Sequence, residues 1–299
     1  MQALTESKLV EIFYYLDEFI KEIALHLHSQ GRQIPHWPSR FSRSEVMTVL
    51  VAYHTSGFIN LKTFYCRDVL GSSNFPDAPA YPRFVSLIPH VIPELYFMLR
   101  TPLSSALEEN FIDSKTLKVC HIRREKSHKV FEGIAAKGKG SMGWFYGFKL
   151  HLVVRNDGRL CDFMISSGNV ADNNRKLLRE LIGEKQAYFY ADRGYHSALK
   201  SEFAQNGTHL IAKLKKNQNS DLPLRQRDAY YLRHRGLIES VLERLVGLGD
   251  IEHSRHRSPQ NFLANIFAGL LAYTFADSVP SIESFDQSRK LKIQMKNVA

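Results

Sequence analysis

Phe111-Ile112-Asp113-Ser114 and Tyr190-Ala191-Asp192-Arg193-Gly194-Tyr195 each end an apolar, strand-like run on a carboxylate. Arg235-Gly236-Leu237-Ile238-Glu239 sets a third carboxylate one helical turn after an arginine. Magnesium takes oxygen ligands, keeps several waters, and is commonly held by one or two carboxylates plus substrate phosphates. Two such ions about 4 Å apart suit phosphodiester chemistry: one activates the attacking water or hydroxyl and the other stabilises the leaving oxygen. Asp113, Asp192 and Glu239 are therefore candidate metal ligands and catalytic groups. Each also has a plainer reading. Asp113 could be a structural cap, Asp192 a turn residue, and Glu239 a solvated helical residue or the partner of Arg235 at i,i+4. Glu243 shares the face of Glu239 and is its rival. Asp162 and Asp172 are rivals for the second position, and Asp172 has the place of a helix N-cap.

The charge of the chain names a partner for such a site. Its 299 residues carry a formal net charge of +10, with 44% hydrophobic and 11% aromatic residues. That is too apolar for disorder, and the excess of cations points to an anionic partner, nucleic acid before a membrane surface. The cations cluster: residues 115–159 hold 11 Lys/Arg against 3 Asp/Glu, and residues 213–235 hold 7 against 2. Lys137 and Lys139 alternate with Gly138 and Gly140, which reads as a flexible phosphate-touching hairpin without the strand-loop-helix setting of a P-loop. Beyond it, Trp144, Tyr146 and Phe148 share one parity and read as core, while Lys149 and His151 share the other and could face the cavity. Cys66, Cys120 and Cys161 are too scattered for a disulfide framework or a zinc site, which suits a reducing cytoplasm. His121, His128, His151 and His196 lack zinc spacing. Met1 to Lys8 shows no basic-then-apolar signal pattern. The apolar run Phe262–Ala276 is short for a membrane span and reads as a buried helix.

The elements that must position these residues fall into two textures. The first hundred residues read as helices. Leu9, Phe13, Leu16, Ile20, Ile23 and Leu27 form one apolar stripe, Ser42 and Glu45 form a capping box, and a third helix runs from Leu61 to Leu70. Short helices with tight turns fit a helix-turn-helix-like DNA reader or any small bundle. From about residue 109 the pattern turns to strands: 110–119, 144–154, 160–166, 187–191 and 209–214. Helices at 172–182, 197–205, 237–248 and 262–275 are interleaved or follow. A hairpin meander followed by crossovers calls for a mixed α/β sheet covered by helices. In that order the strands bearing Asp113 and Asp192 can lie side by side, with both carboxylates facing one cavity. The expected domains are 1–105, a helical DNA-binding and multimerisation region; 106–280, the strand-rich catalytic domain; and 281–299, a basic tail.

The three carboxylate stretches resemble the motifs of bacterial insertion-sequence DDE transposases with an RNase H-like core. Lys139 to His151 resembles the second-strand region of a compact group of these enzymes, about 300 residues long, as does Leu50–Phe64 near the N-terminus. Asp113 and Asp192 are 79 residues apart and Asp192 and Glu239 47, which leaves no room for a large domain inserted before the glutamate. Relatives with the full tyrosine-arginine-glutamate signature carry tyrosine three places before the arginine and lysine seven after the glutamate. Here those positions are Leu232 and Val246, with Tyr231 and Arg244 nearby. The resemblance implies an RNase H-like mixed five-stranded sheet flanked by helices. It also implies cleavage at transposon ends dependent on two Mg2+ ions, with Mn2+ as a substitute, and strand transfer into target DNA. Asp113, Asp192 and Glu239 would be the ligands, and Arg235 would orient Glu239 or touch a phosphate. On charge, Lys115, Lys118, Lys149 and Lys215 join Lys137 and Lys139 as DNA contacts. The implied partners are double-stranded DNA, as terminal inverted repeats and target, and further copies of the chain, at least a dimer in the synaptic complex. No membrane is implied, and the expected place is the bacterial cytoplasm, on nucleoid DNA. A nuclease of the same fold without strand transfer, and a domesticated DNA-binding protein without catalysis, are the alternatives.

Overall fold

A computed structural model describes residues 5–100, 109–140, 142–195, 198–213, 224–248, 251 and 256–288. In chain order the elements are α1 (Glu6–Ser29), α2 (Arg43–Thr55), α3 (Leu61–Phe64), α4 (Tyr81–Leu87), α5 (Ile92–Arg100), β1 (Glu109–Cys120), β2 (Ala136–Gly140), β3 (Gly143–Arg155), β4 (Leu160–Ser167), α6 (Arg175–Ile182), β5 (Tyr188–Ala191), α7 (Lys200–Gln205), β6 (His209–Ala212), α8 (Gln226–Arg233), α9 (Gly236–Gly247) and α10 (Pro259–Thr274). They form two compact units, Met1–Thr101 with Arg244–Ala276, and Pro102–Glu243 with Asp277–Ala299.

The first unit is helical. The capping box opens α2 as its sequence demands: Ser42 Oγ accepts from the Glu45 N–H and the Glu45 carboxylate accepts from the Ser42 N–H. Apart from Glu45, every α2 residue from Arg43 to His54 is buried. Arg43 and Glu94 pair inside the unit at 2.6 Å. α10 packs on α2 and α5; at Gly269 it approaches His54 of α2 closely, and a Cβ there would stand 3.4 Å from that ring. α10 therefore groups with the N-terminal helices, among which its apolar surface is buried. No helix among the described residues is long and apolar enough to cross a membrane. The expected stripe on α1 is rotated, with Ile12 and Leu16 fully buried and Phe13 partly exposed. The expected third helix is one α-turn followed by a π-helical turn, Tyr65–Val69.

The second unit is a mixed α/β fold of the RNase H-like kind. Its sheet runs β2-β3-β1-β5-β6, with β4 also pairing β3. β1, β2, β3 and β4 pair antiparallel; β5 pairs β1, and β6 pairs β5, in parallel. The sheet has six strands rather than five. The added one, β2, has the composition of a loop, yet its glycines let backbones approach: a Cβ on Gly138 would stand 2.0 Å from the Gly168 carbonyl oxygen. β2 pairs with residues 143–147 of β3, and β4 with residues 148–154. α8 is another element that sequence reads as a polar loop, because its buried surface is supplied by only Tyr231 and Leu232.

Each face of the sheet has its own cover. On one, Ile112, Val153, Phe189 and Ala191 form a core with Leu177, Leu178, Leu181 and Ile182 of α6 and Phe203 of α7. On the other, Phe111 and Tyr190 meet Tyr231 of α8, with Tyr190 stacked on it at 5.0 Å between centroids. Beside the irregularity between Lys118 and Cys120, Gly147 takes φ +156° and lies against the Leu117 carbonyl. An alanine Cβ would meet that oxygen at 2.0 Å. Gly147→Ala should therefore destabilise the protein by about 3 kcal/mol, read as a lowered urea midpoint.

Candidate active site

Register decides where the first two carboxylates go. β1 and β5 pair in parallel with Phe111 opposite Tyr190 and Ile112 opposite Ala191. Asp113 and Asp192 are the next positions along these two chains, and neighbouring strands lie about 4.8 Å apart. Side chains alternate along a strand. Asp113 lies two residues after Phe111, and Asp192 two after Tyr190, so the register directs both toward the face covered by α8. β5 ends at Ala191, and a 3-10 turn, Arg193–Tyr195, begins beyond Asp192, whose carbonyl accepts from the Tyr195 N–H at 3.0 Å.

The third stretch is delivered by α8 and α9. α8 is pinned to the sheet at three points. Arg227 pairs with Glu109 at the start of β1, its guanidinium lies 4.1 Å from the Tyr188 ring centroid, and the Tyr190 hydroxyl donates to Asp228 at 3.1 Å. α8 stops at Arg233 and α9 begins at Gly236, leaving Arg235 in the link between them. From there its guanidinium reaches two carboxylates: Nη1 donates to Asp113 Oδ2 at 3.1 Å, and Nη2 to Glu239 Oε1 at 2.6 Å. Glu239 lies in the first turn of α9, at the positive end of the helix dipole. Glu243 lies one turn further along and is exposed.

The first and third motifs are therefore joined by one cation, and the first and second by sheet register. Burial pushes the Asp113 carboxyl above the usual aspartate range, against the Ser114 N–H, which donates to its Oδ1 at 2.8 Å, and against the Arg235 charge. Asp113, an oxygen donor already held to a positive charge, has the chemistry that a hard divalent ion takes. Glu239 is held by Arg235, and among the described residues no group of three His, Cys, Asp or Glu side chains stands close enough to hold an ion.

Residues 104–259 match the protein family described as Transposase DDE domain. The chain belongs to the DDE transposases. No curated protein matches it. The matched stretch takes in the whole sheet together with α8 and α9.

The remaining candidate residues of the DDE domain take varied places. Lys115 and Lys118 lie partly buried on β1. Lys137 and Lys139 are exposed on β2, with ammonium groups 5.1 and 5.9 Å from the Trp144 ring centroid. Trp144 is not core as its parity suggested: it is 59% exposed, while Tyr146 and Phe148 are buried. Lys149 is buried and donates to Asp172 at 3.1 Å. It pairs across from Thr116 and His151 from Ser114, which puts both on the Ile112 side of the sheet. Burial holds the His151 imidazole down at about 4. Lys215, His196 and the tail 289–299 lie outside the described residues. Asp162 is buried and paired with Lys185. Asp172 is not the cap of α6. Asn174 is, accepting from the Leu177 N–H at 3.1 Å, because α6 starts two residues later than its apolar periodicity suggests. The Arg235–Asp113 contact lies between residues 122 apart, so only the spacing of Arg235 from Glu239 was visible along the chain.

The raised Asp113 carboxyl gives a signed test. A raised folded-state pKa favours the protonated form, so this stability is present at low pH and is lost as pH rises through the folded pKa. Arg235→Met removes a lowering influence and should push that pKa further up. At neutral pH the variant should lose about 2 kcal/mol, and adding Asp113→Asn should restore most of it. Urea unfolding between pH 3 and 7, without metal, reads both effects.

Proposed function

We propose that the chain is an insertion-sequence transposase that cuts DNA at the ends of its element and joins the freed 3′ ends to target DNA. The parallel register that ends with Ile112 opposite Ala191, one residue before Asp113 and Asp192, together with the bonds of Arg235 to Asp113 and Glu239, supports this reading best. In it Asp113, Asp192 and Glu239 hold two Mg2+ ions, or Mn2+ in their place. When bound, such ions polarise the phosphodiester, lower the pKa of an attacking water and neutralise the leaving oxygen. The chain's own contribution is positional. The sheet holds Asp113 within β1 and leaves Asp192 at the position after β5, α8 and α9 deliver Glu239, and Arg235 spaces it from Asp113 and lies within reach of a bound phosphate.

The DNA-contacting surface in this proposal includes the β2–β3 hairpin. Lys137 and Lys139 are exposed there beside the exposed Trp144 ring, a combination of cations and an aromatic face that suits nucleic acid. Lys115, Lys118 and Lys215 extend the basic character along the chain. Lys149, paired with Asp172, is better suited to support from within than to a phosphate. The helical unit serves as the DNA-binding and multimerisation part, at least two copies synapse the transposon ends, and the reaction takes place on nucleoid DNA in the cytoplasm.

Three assays test this proposal. Asp192→Ala should reduce Mg2+-dependent cleavage of an end-bearing duplex by at least a thousandfold while DNA affinity stays within about threefold. In the same assay Glu239→Gln should be as severe and Glu243→Gln mild; inverse severities would move the third ligand to Glu243. A joining assay with a pre-cut 3′-OH end separates the transposase from a nuclease of the same fold. Replacing Lys137 and Lys139 together with alanine should weaken binding to all duplexes alike. It should also flatten the dependence of log affinity on log salt by about 2; an unchanged slope would take the hairpin off the DNA.

A further inference from the structure

Asp172 belongs to neither the triad nor the cap of α6, yet it bonds the strand that carries Asp113 and lies near the turn that follows Asp192. Its Oδ1 accepts from Ser114 Oγ at 3.0 Å and from Lys149 Nζ at 3.1 Å. Ser114 is thus held twice: its hydroxyl is on Asp172, and its backbone N–H is on Asp113 Oδ1. The other oxygen, Oδ2, lies 3.8 Å from where a Cβ on Gly194 would stand, two residues after Asp192. One carboxylate therefore bonds β1 and β3 and lies near the turn that follows β5. Lys149 is 7% exposed, and a buried ammonium is costly unless paired. Replacing such a pair with apolar side chains is often neutral or stabilising, so stability alone does not account for a Lys–Asp pair here. Placement does. β5 ends at Ala191, and beyond it no ladder hydrogen bonds tie Asp192 to the β1 strand that bears Asp113.

We propose that Asp172, with its charge balanced by Lys149, is a positioning residue that sets the spacing of Asp113 and Asp192 for the metal. This rests on the assignment of those two aspartates as ligands. Asp172 acts by gripping Ser114 on one side and bordering the Asp192 turn on the other; it does not itself bind the ion. Loss of such an outer partner costs about tenfold or more in metal affinity.

The test follows Mn2+ binding to the full chain by electron spin resonance, together with the Mg2+ concentration for half-maximal cleavage and the thermal midpoint. Asp172→Ala and Lys149→Met should each weaken Mn2+ binding about tenfold and raise the Mg2+ requirement by a similar factor. Asp172→Asn keeps an oxygen for Ser114 and should fall between them and the wild type. Ser114→Ala reports on the same link if a charge change prevents folding. A lowered thermal midpoint with unchanged Mn2+ affinity in every variant would make the cluster a structural pair and overturn the proposal. Loss of Mn2+ binding as complete as in Asp113→Ala would overturn it too, by making Asp172 a ligand. If the wild type binds Mn2+ with no dependence on Asp113 or Asp192, the ligand assignment itself fails.

Discussion

The parallel pairing of β1 with β5 is the constraint on which the rest of the DDE domain depends. With Ile112 opposite Ala191, one face of the sheet receives the aliphatic core of α6 and α7, and the other receives Phe111 and Tyr190 against Tyr231. A slip of one residue on either strand would exchange the faces. It would bury a carboxylate in the aliphatic core and turn an aliphatic residue toward α8. Burial on both faces thus protects the register, and the register carries Asp113 and Asp192 to adjacent positions without any direct bond between them.

Arg235 adds the third group by a different physical route. Among the described residues no hydrogen bond or ion pair ties the sheet directly to Glu239. The link between α8 and α9 supplies the tie, because α8 is fastened to β1 and β5 by Arg227, Tyr190 and the Tyr231 ring. One planar guanidinium then bonds two carboxylates in different directions, which a lysine's single ammonium would do less well. The cluster of Ser114, Asp172, Lys149 and His151 lies on the opposite side of β1 from Phe111. The same strand therefore presents charge on one side and a mostly buried polar support on the other.

Much of the architecture is legible in the chain. Strand texture after residue 109, the Ser42–Glu45 capping box and the apolar runs ending at Asp113 and Asp192 are local signals, and local signals survive without tertiary information. Features carried by contact are harder to see. β2 looks like a loop because its glycines matter only where Gly168 comes close. α8 looks like a loop because its buried side is two residues wide. Trp144 has core parity yet lies beyond the cover of the sheet. α10 follows the catalytic stretch in sequence but packs with the N-terminal helices.

By itself the sequence determined the chemistry on offer: two carboxylates that close apolar runs and one that opens a helix, a cation excess around them, and an α/β pattern with a meander followed by crossovers. These depend on residue type and short-range periodicity, which the linear chain states in full. Tertiary structure alone decided which groups meet. It set Arg235 between Asp113 and Glu239, turned Lys149 inward onto Asp172, and gave the cap of α6 to Asn174 so that Asp172 was left for Ser114. Each of these is a contest between several donors for one acceptor, or several acceptors for one donor. Such contests are settled by distance in the folded chain rather than by separation along it.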